Sequence, residues 1–250
     1  MTNGILYDST LCIGCKACEQ ACAQRWSLPY NETIAAEEQI SAHKLTAIQQ
    51  HGDRFVRRIC MHCKEPTCVS VCPVAALQKT REGPVIYDES RCMGCRYCMT
   101  ACPFQVPVYE WTSTTPRVRK CDMCRQRQLA GRQTACAETC PTGATKFGER
   151  TALIAEAQQR IAEKPKDYYP RIYGVHEAGG TSVLILSAVP FEQLGLRTNL
   201  PSEPLPHLTW NVLSHVPDIG SVGSVLLGGI WWITHRREQV AREEGSERTS

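Results

Sequence analysis

No glycine-rich dinucleotide fingerprint occurs in these 250 residues, so a nucleotide-cofactor dehydrogenase site is not expected. The chain is too short for a molybdopterin-binding subunit, and it has no C-x2-C nickel-ligand pairs near both termini. No other substrate-pocket motif stands in their place. The first 11 residues hold no charged n-region, apolar h-region or twin-arginine pair, so no export signal is expected there. The formal net charge is only +3, a weak basis for nucleic-acid binding.

What the chain does have is cysteine, 16 residues of it. Cys92-Met93-Gly94-Cys95-Arg96-Tyr97-Cys98-Met99-Thr100-Ala101-Cys102-Pro103 reads C-x2-C-x2-C-x3-C-P, the bacterial run for iron–sulfur cubanes. Three cysteines on a tight loop wrap three corners of a cube, and Gly94 lets the backbone bend close to it. The fourth points away and serves a different cluster. Three similar motifs follow from the same logic. They are Cys12-x2-Cys15-x2-Cys18-x3-Cys22, with Gly14 placed like Gly94 but Ala23 replacing proline; Cys60-x2-Cys63-x4-Cys68-x3-Cys72-Pro73; and Cys121-x2-Cys124-x11-Cys136-x3-Cys140-Pro141.

Sixteen cysteines at four per cube leave none over, so four [4Fe–4S] clusters are expected and no three-iron form. Disulfides are disfavoured, because scaffolds of that kind are usually shorter and cysteines two apart on a turn bridge poorly. Structural zinc is disfavoured because it takes two C-x2-C pairs, not triplets with a remote fourth ligand. Each oxidised cube with four thiolates carries about −2, so the loaded protein would be acidic despite its formal charge. His62 lies inside a motif whose cube already has four thiolates, so it is expected to pack or to donate a hydrogen bond to sulfur.

The first and third motifs repeat at an offset of 80 residues. Ile5-Leu6-Tyr7-Asp8-Ser9 matches Val85-Ile86-Tyr87-Asp88-Glu89, and the cysteines follow in step. The expected fold is therefore α+β, a duplicated bacterial 2×[4Fe–4S] ferredoxin-like unit with insertions. Its four-cluster region spans 1–148, with a polar insertion at 23–59. The basic run Arg54–Arg58 closing that insertion reads as a solvated strand edge, and Arg125–Ala135 as a surface excursion.

Residues 149–206 read as a helix/strand extension and a linker. Leu153, Ile154, Ala157 and Ile161 share one face of a helix over 149–163, Thr181–Leu186 reads as a strand, and Pro190–Pro206 as extended linker. Residues 207–236 read as a single transmembrane anchor and 237–250 as a charged tail. Only Asp218 is formally charged between Thr209 and Thr234, and Trp210 and Trp231/Trp232 stand at the two expected interfaces. Gly220, Ser224 and Gly228 form a small-residue stripe suited to packing on another membrane helix. Pro217 is expected to kink the helix. His215 and Asp218 could relay protons on the quinone side, although water at the outer interface accounts for both. His235-Arg236-Arg237 directs the C-terminus to the cytoplasm and the cluster region outside.

Spacing leaves the sharing of cubes open. Cys72 and Cys92 are close in sequence, which suits one ferredoxin unit built from motifs two and three. The ferredoxin swap then gives Cys60, Cys63, Cys68 with Cys102, and Cys92, Cys95, Cys98 with Cys72. Motifs one and four would pair as Cys12, Cys15, Cys18 with Cys140, and Cys121, Cys124, Cys136 with Cys22. Cys102 and Cys121 are comparably close, so pairing first with second and third with fourth also fits.

Tyr7–Cys18, Cys60–Cys63 and Gly94–Pro103 resemble the four-cluster ferredoxin-type electron-transfer subunits of membrane-bound respiratory oxidoreductases. Tyr173–Leu184 and Val189–Glu192 are similar to the anchored branch, which includes the hydrogenase-two-type iron–sulfur subunit and the formate dehydrogenase beta subunit. The likeness is weakest over 24–50 and the C-terminal tail. It implies the outer-with-outer, inner-with-inner ligand sets above. It also implies a non-catalytic subunit relaying electrons between a catalytic subunit and a quinone-reactive integral membrane subunit. A periplasmic nickel–iron hydrogenase is the favoured catalytic partner, and a molybdopterin enzyme such as formate dehydrogenase the alternative. The hydrogenase-type subunit usually carries its own twin-arginine signal; here a signal-bearing partner is expected to carry the folded chain across.

Overall fold

The structure is a computed structural model that describes residues 2–114 and 116–247, with side chains to Arg242. The last three residues of the 237–250 tail lie outside the described residues. The chain divides into two compact units, one ending at Pro206 and the other beginning at His207.

The first unit opens with β1 (Asn3–Asp8), which leads through the first cysteines into α1 (Ala17–Trp26). The polar stretch after it forms α2 (Glu32–Ala36) and a hairpin of β2 (Ala47–His51) and β3 (Arg54–Arg58). The second motif holds α3 (Thr67–Ser70), followed by a hairpin of β4 (Leu77–Lys79) and β5 (Val85–Tyr87). The third holds α4 (Tyr97–Ala101), followed by a hairpin of β6 (Val108–Tyr109) and β7 (Val118–Arg119). The fourth carries α5 (Arg125–Leu129) in its long gap and α6 (Ala135–Glu138) after it. Then come β8 (Thr145–Glu149), α7 (Arg150–Glu163) and β9 (Val183–Leu186).

β1 is the centre of a three-stranded sheet, antiparallel to β8 with Ile5 opposite Phe147 and parallel to β9 with Leu6 opposite Leu184. Successive side chains of a strand point to opposite faces, which lets β1 and β9 serve two cores. Ile5, Tyr7, Val183 and Ile185 face the main core with the buried cysteines, while Leu6, Leu184 and Leu186 face α7. Leu153 and Ala157 of α7 are buried there and Ile154 and Ile161 pack beside them, the stripe expected from the sequence.

Residues 149–206 are integral to this unit. β9 completes the central sheet. Phe191, Leu194 and Leu196, expected in an extended linker, are buried in the main core, with the Phe191 ring packed against Tyr169 and Tyr173. The prolines set the backbone there, but three large apolar side chains gain more by burial than by exposure.

The insertion at 23–59 is likewise tied down. Lys44 and Glu19 form a buried ion pair at 2.8 Å, both side chains at most 1% exposed. Glu19 also accepts from the backbone N–H of Ile48 and the Tyr30 hydroxyl, and Lys44 donates to the carbonyls of Ile34, Ala35 and Glu37. Removing one partner of a buried pair strands the other charge. Lys44→Met is therefore expected to destabilise the unit by roughly 3–5 kcal/mol, read as a fall in Tm, whereas substitution of exposed His43 should leave Tm nearly unchanged.

Local geometry recurs at the 80-residue offset. Asp8 accepts from the N–H and hydroxyl of Thr10 at 3.0 and 2.6 Å, and Asp88 from those of Ser90 at the same distances. Gly14 and Gly94 have φ of 71° and 74°, and a Cβ on either would meet an aromatic side chain, Phe55 of β3 or Tyr109 of β6. Where the recurrence fails, chemistry explains it. α4 stops before Cys102-Pro103, but α1 continues through Cys22-Ala23 to Trp26 because nothing there removes an N–H or clashes with the preceding turn.

The second unit consists of α8 (Leu205–Leu213), which begins at the end of the first, and α9 (Val216–Glu247). The helix is interrupted at Ser214–His215, and Pro217 sits in the first turn of α9 instead of kinking its middle. Across Leu205–Arg242 the chain is long and apolar enough to span a membrane. The hydroxyls of Ser221, Ser224 and Thr234 donate back to carbonyls of the preceding turn, at Pro217, Gly220 and Ile230, which satisfies them without water.

Candidate iron–sulfur site

All sixteen cysteines are free thiols, and none is in a disulfide. The helices bring them together pairwise. α3 of the second motif packs on α4 of the third, and α1 of the first packs on α6 of the fourth.

Four thiols, Cys72, Cys92, Cys95 and Cys98, line one cavity with Tyr87, Met93, Arg96 and Val118 on its walls. Burial first, then the thiols of Cys92, Cys95 and Cys72, push Cys98 up to about 11. Cys63 is likewise raised by burial and by Cys60, Cys102 and Cys68. In the other pair of motifs, burial and then Cys136 and Cys124 push Cys22 up to about 12, and Cys121 is raised by burial, Cys22 and Cys124. Cys18 reaches about 12, again through burial, with Cys136, Glu19 and Cys12 adding to it.

Cys140 is the exception. Burial raises it, but N–H groups of Thr145, Thr142 and Ala144 and the Thr142 hydroxyl outweigh burial and hold it below the ordinary thiol value. The groups that shift it most are backbone and hydroxyl donors, and Cys15 is exposed at the surface.

The neighbour relations also cross between groups. Cys68 feels Cys98, Cys121 feels Cys60, and Cys18 feels Cys136. Backbone and side-chain donors point at the sulfurs. Ala76 N–H reaches Cys72 Sγ at 3.2 Å, Met123 N–H reaches Cys121 Sγ at 3.2 Å, and N–H groups of Val106, Phe104 and Gln105 reach Cys102. The Tyr7 and Tyr87 hydroxyls lie against Cys12 and Cys92, another repeat of the 80-residue offset.

These thiols fit a cubane. Buried thiols crowded by other thiols cannot ionise without a cation to compensate them, and the iron of a cluster supplies it. Among the described residues no three or more His, Cys, Asp or Glu side chains converge closely enough to hold one ion. The ligands of a single zinc lie about 2.3 Å from one centre, whereas thiols on different corners of a cube stand further apart.

His62 is fully buried, its Nδ1 accepts from the Val85 N–H at 2.9 Å, and its Nε2 has no hydrogen-bond partner among the described residues. Burial, then Lys120 and Lys79, hold it well below the ordinary imidazole value, so Nε2 carries the proton as an unused donor. That accords with a hydrogen-bond donor in reserve for a group the polypeptide lacks.

The basic run Arg54–Arg58 departs from its expected place at a solvated edge. Arg57 is 2% exposed, and its Nε donates to Thr46 Oγ1 at 2.9 Å and its Nη1 to Thr145 Oγ1 at 3.4 Å. β2 and β3 place Val56 and Arg57 on opposite faces, and both faces are covered. Lys120 is a second buried cation, donating to the carbonyls of Val85 and Cys121. Neither was legible as a site residue, since only the three-dimensional packing sets them among thiols. Arg125 and Arg127 do lie at the surface as expected, paired with Glu82 and Glu138.

The cysteine frame thus defines a ferredoxin-type 4Fe–4S protein, and residues 53–150 match the family model described as a 4Fe-4S dicluster domain. Among curated proteins, the hydrogenase-2 operon protein HybA of Escherichia coli O157:H7 is 39% identical, over 77% of this chain and 72% of its own length. The iron–sulfur subunit of the nitrate-inducible formate dehydrogenase of Escherichia coli strain K12 is 32% identical, over 80% and 72%. The formate dehydrogenase iron–sulfur subunit of Haemophilus influenzae is 31% identical, over 90% and 76%. This chain belongs to the iron–sulfur subunit family that these proteins share, the electron-transfer subunits of hydrogenase- and formate dehydrogenase-type complexes.

Proposed function

We propose that the chain holds four [4Fe–4S] clusters in a row and carries electrons between a catalytic subunit and a quinone-reactive membrane subunit. The ligand sets are Cys92, Cys95, Cys98 with Cys72; Cys60, Cys63, Cys68 with Cys102; Cys121, Cys124, Cys136 with Cys22; and Cys12, Cys15, Cys18 with Cys140. When bound, each cube supplies a one-electron store. The polypeptide holds the thiols, excludes water and aims N–H and hydroxyl donors at sulfur, which are the levers that set potential.

The observation that carries this reading is the chain of neighbours Cys98–Cys68, Cys60–Cys121 and Cys136–Cys18. It supports the order Cys92, Cys60, Cys121, Cys12 for the sets. Cys95 and Cys15 at the two ends are exposed, as are Met93 and Ile13 beside them, while Cys60, Cys68, Cys121, Cys124 and Cys136 between them are buried. A row with buried middle and open ends suits one partner at each end. The recurrence of Tyr7/Tyr87, Asp8/Asp88 and Gly14/Gly94 supports a duplicated ferredoxin unit.

A nickel–iron hydrogenase is the favoured catalytic partner, given the higher identity to HybA; a molybdopterin enzyme such as formate dehydrogenase is the alternative. The C-terminal helix would fix the cluster unit on the periplasmic face with its basic end, His235–Arg237, in the cytoplasm. Gentle detergent extraction of native membranes, with this chain as bait, should recover a catalytic subunit and a multi-helix membrane protein. The purified chain should carry about 16 iron and 16 sulfide. About 8 iron, or zinc in its place, would overturn the four-cluster reading, and protease protection of the cluster unit in spheroplasts would overturn the topology.

A further inference from the structure

Arg57 is a buried cation with no ion pair to a carboxylate among the described residues. Guanidinium does not deprotonate in a protein, so burial leaves its charge to be compensated by whatever surrounds it. The acids that act on the same thiols are committed elsewhere, Glu19 beside Cys18 to Lys44 at 2.8 Å and Asp122 beside Cys22 to Arg25 at 2.6 Å. Arg57 itself reaches only the neutral hydroxyls of Thr46 and Thr145 among the described side-chain oxygens, at 2.9 and 3.4 Å. The groups around it that bear negative charge when ionised are thiols. Burial disfavours its charge, but the thiols of Cys136, Cys18 and Cys121 around it outweigh that. In return it lowers Cys18 and Cys22. These four thiols belong to two of the proposed ligand sets, so Arg57 stands at the junction between them.

We propose that Arg57 is a positioning residue for electron transfer, a fixed positive charge shared by the Cys12 and Cys121 sets that raises the reduction potentials of both their clusters. A cluster gains negative charge when it accepts an electron, and a nearby cation stabilises the reduced form over the oxidised one. The threonine hydroxyls hold the guanidinium in place, so the effect does not depend on a mobile counter-ion. The inference rests on the four-cluster reading. Lys120 is a further buried cation in the row: it acts on Cys68 and donates to the carbonyl of Cys121.

The test is a redox titration followed by electron paramagnetic resonance, on the complex extracted with its partners, with iron and sulfide counted in parallel. In Arg57→Gln, two of the four potentials should fall, the reduced-to-oxidised ratio at fixed potential dropping about tenfold, or about 59 mV for one electron. Arg57→Lys should restore most of the shift. Thr46→Asp keeps the guanidinium but neutralises it, and should lower the same two. Full cluster content with unchanged potentials in Arg57→Gln overturns the proposal. If Arg57→Gln fails to load clusters, unchanged potentials in Thr46→Asp overturn it instead. A wild-type count short of four clusters would be a failure of the four-cluster reading, and is seen before any variant is titrated.

Discussion

Replacing Cys121 by alanine is expected to stop electron passage through the chain while leaving most of its iron in place. Cys121 is buried, and the thiols of Cys22, Cys124 and Cys60 all raise it. It therefore belongs to an inner set and borders the other inner set. A cube left with three thiolates is lost or retained in a three-iron form, so the iron falls from about 16 to between about 12 and about 15 per chain. Quinone reduction with the physiological donor should fall to background, because the remaining clusters are split into one at one end and two at the other. The substitution itself removes one sulfur and the acceptor of the Met123 N–H, worth about 1 kcal/mol, and the lost cluster's binding energy comes on top, so the Tm falls as well. A purified variant that is folded, has the lower iron count and shows no turnover would support the row. Near wild-type turnover at the lower iron count would refute the order of the sets. Cys15→Ala, at an exposed end, makes a useful contrast: it should break exchange with one partner but leave reduction from the other end intact.

The sequence made the sixteen thiols readable because cluster ligation is local. Three ligands of a cube come from one stretch of chain, and the position before its second cysteine takes a left-handed φ in all four motifs, at Gly14, His62, Gly94 and Met123; glycine marks it in two of them. The helix face of Leu153 and Ala157 was legible for a similar reason, since periodicity is a property of neighbours in sequence. What spacing left open was decided by packing between distant segments. α1 lies on α6 and α3 on α4, which is why Cys22 neighbours Cys136 and Cys68 neighbours Cys102. Arg57 looked like one of several solvated arginines because no local signal distinguishes it from Arg54 or Arg58. Only the covering of both faces of its hairpin turns it inward. Phe191 and Leu194 were missed because prolines on either side mimic a linker, and Lys44 because its partner Glu19 lies 25 positions earlier.

Ending the chain at Pro206 is expected to move the protein from the membrane to the soluble fraction with its cluster content unchanged. All sixteen cysteines precede that point, and the unit they build is compact by itself. The balance that holds the full chain in the membrane is narrow. Between Ile219 and Ile233 there are seven aliphatic residues, which at 0.3–0.6 kcal/mol each favour insertion by roughly 2–4 kcal/mol. Their side chains are exposed along α9, a surface that water does not favour. One charge at the middle of a span costs about 2.5–3.5 kcal/mol, as much as the seven contribute together. Leu226→Arg should therefore release the chain as fully as truncation does, whereas Leu226→Ala should not. The assay is retention in the pellet after alkaline carbonate washing, with iron counted in both fractions. If Leu226→Arg stays in the membrane, a partner helix must supply the missing insertion energy, and the Gly220–Ser224–Gly228 stripe would be the face to substitute next. If the truncated chain also stays, attachment lies in the cluster unit and α9 is not the anchor.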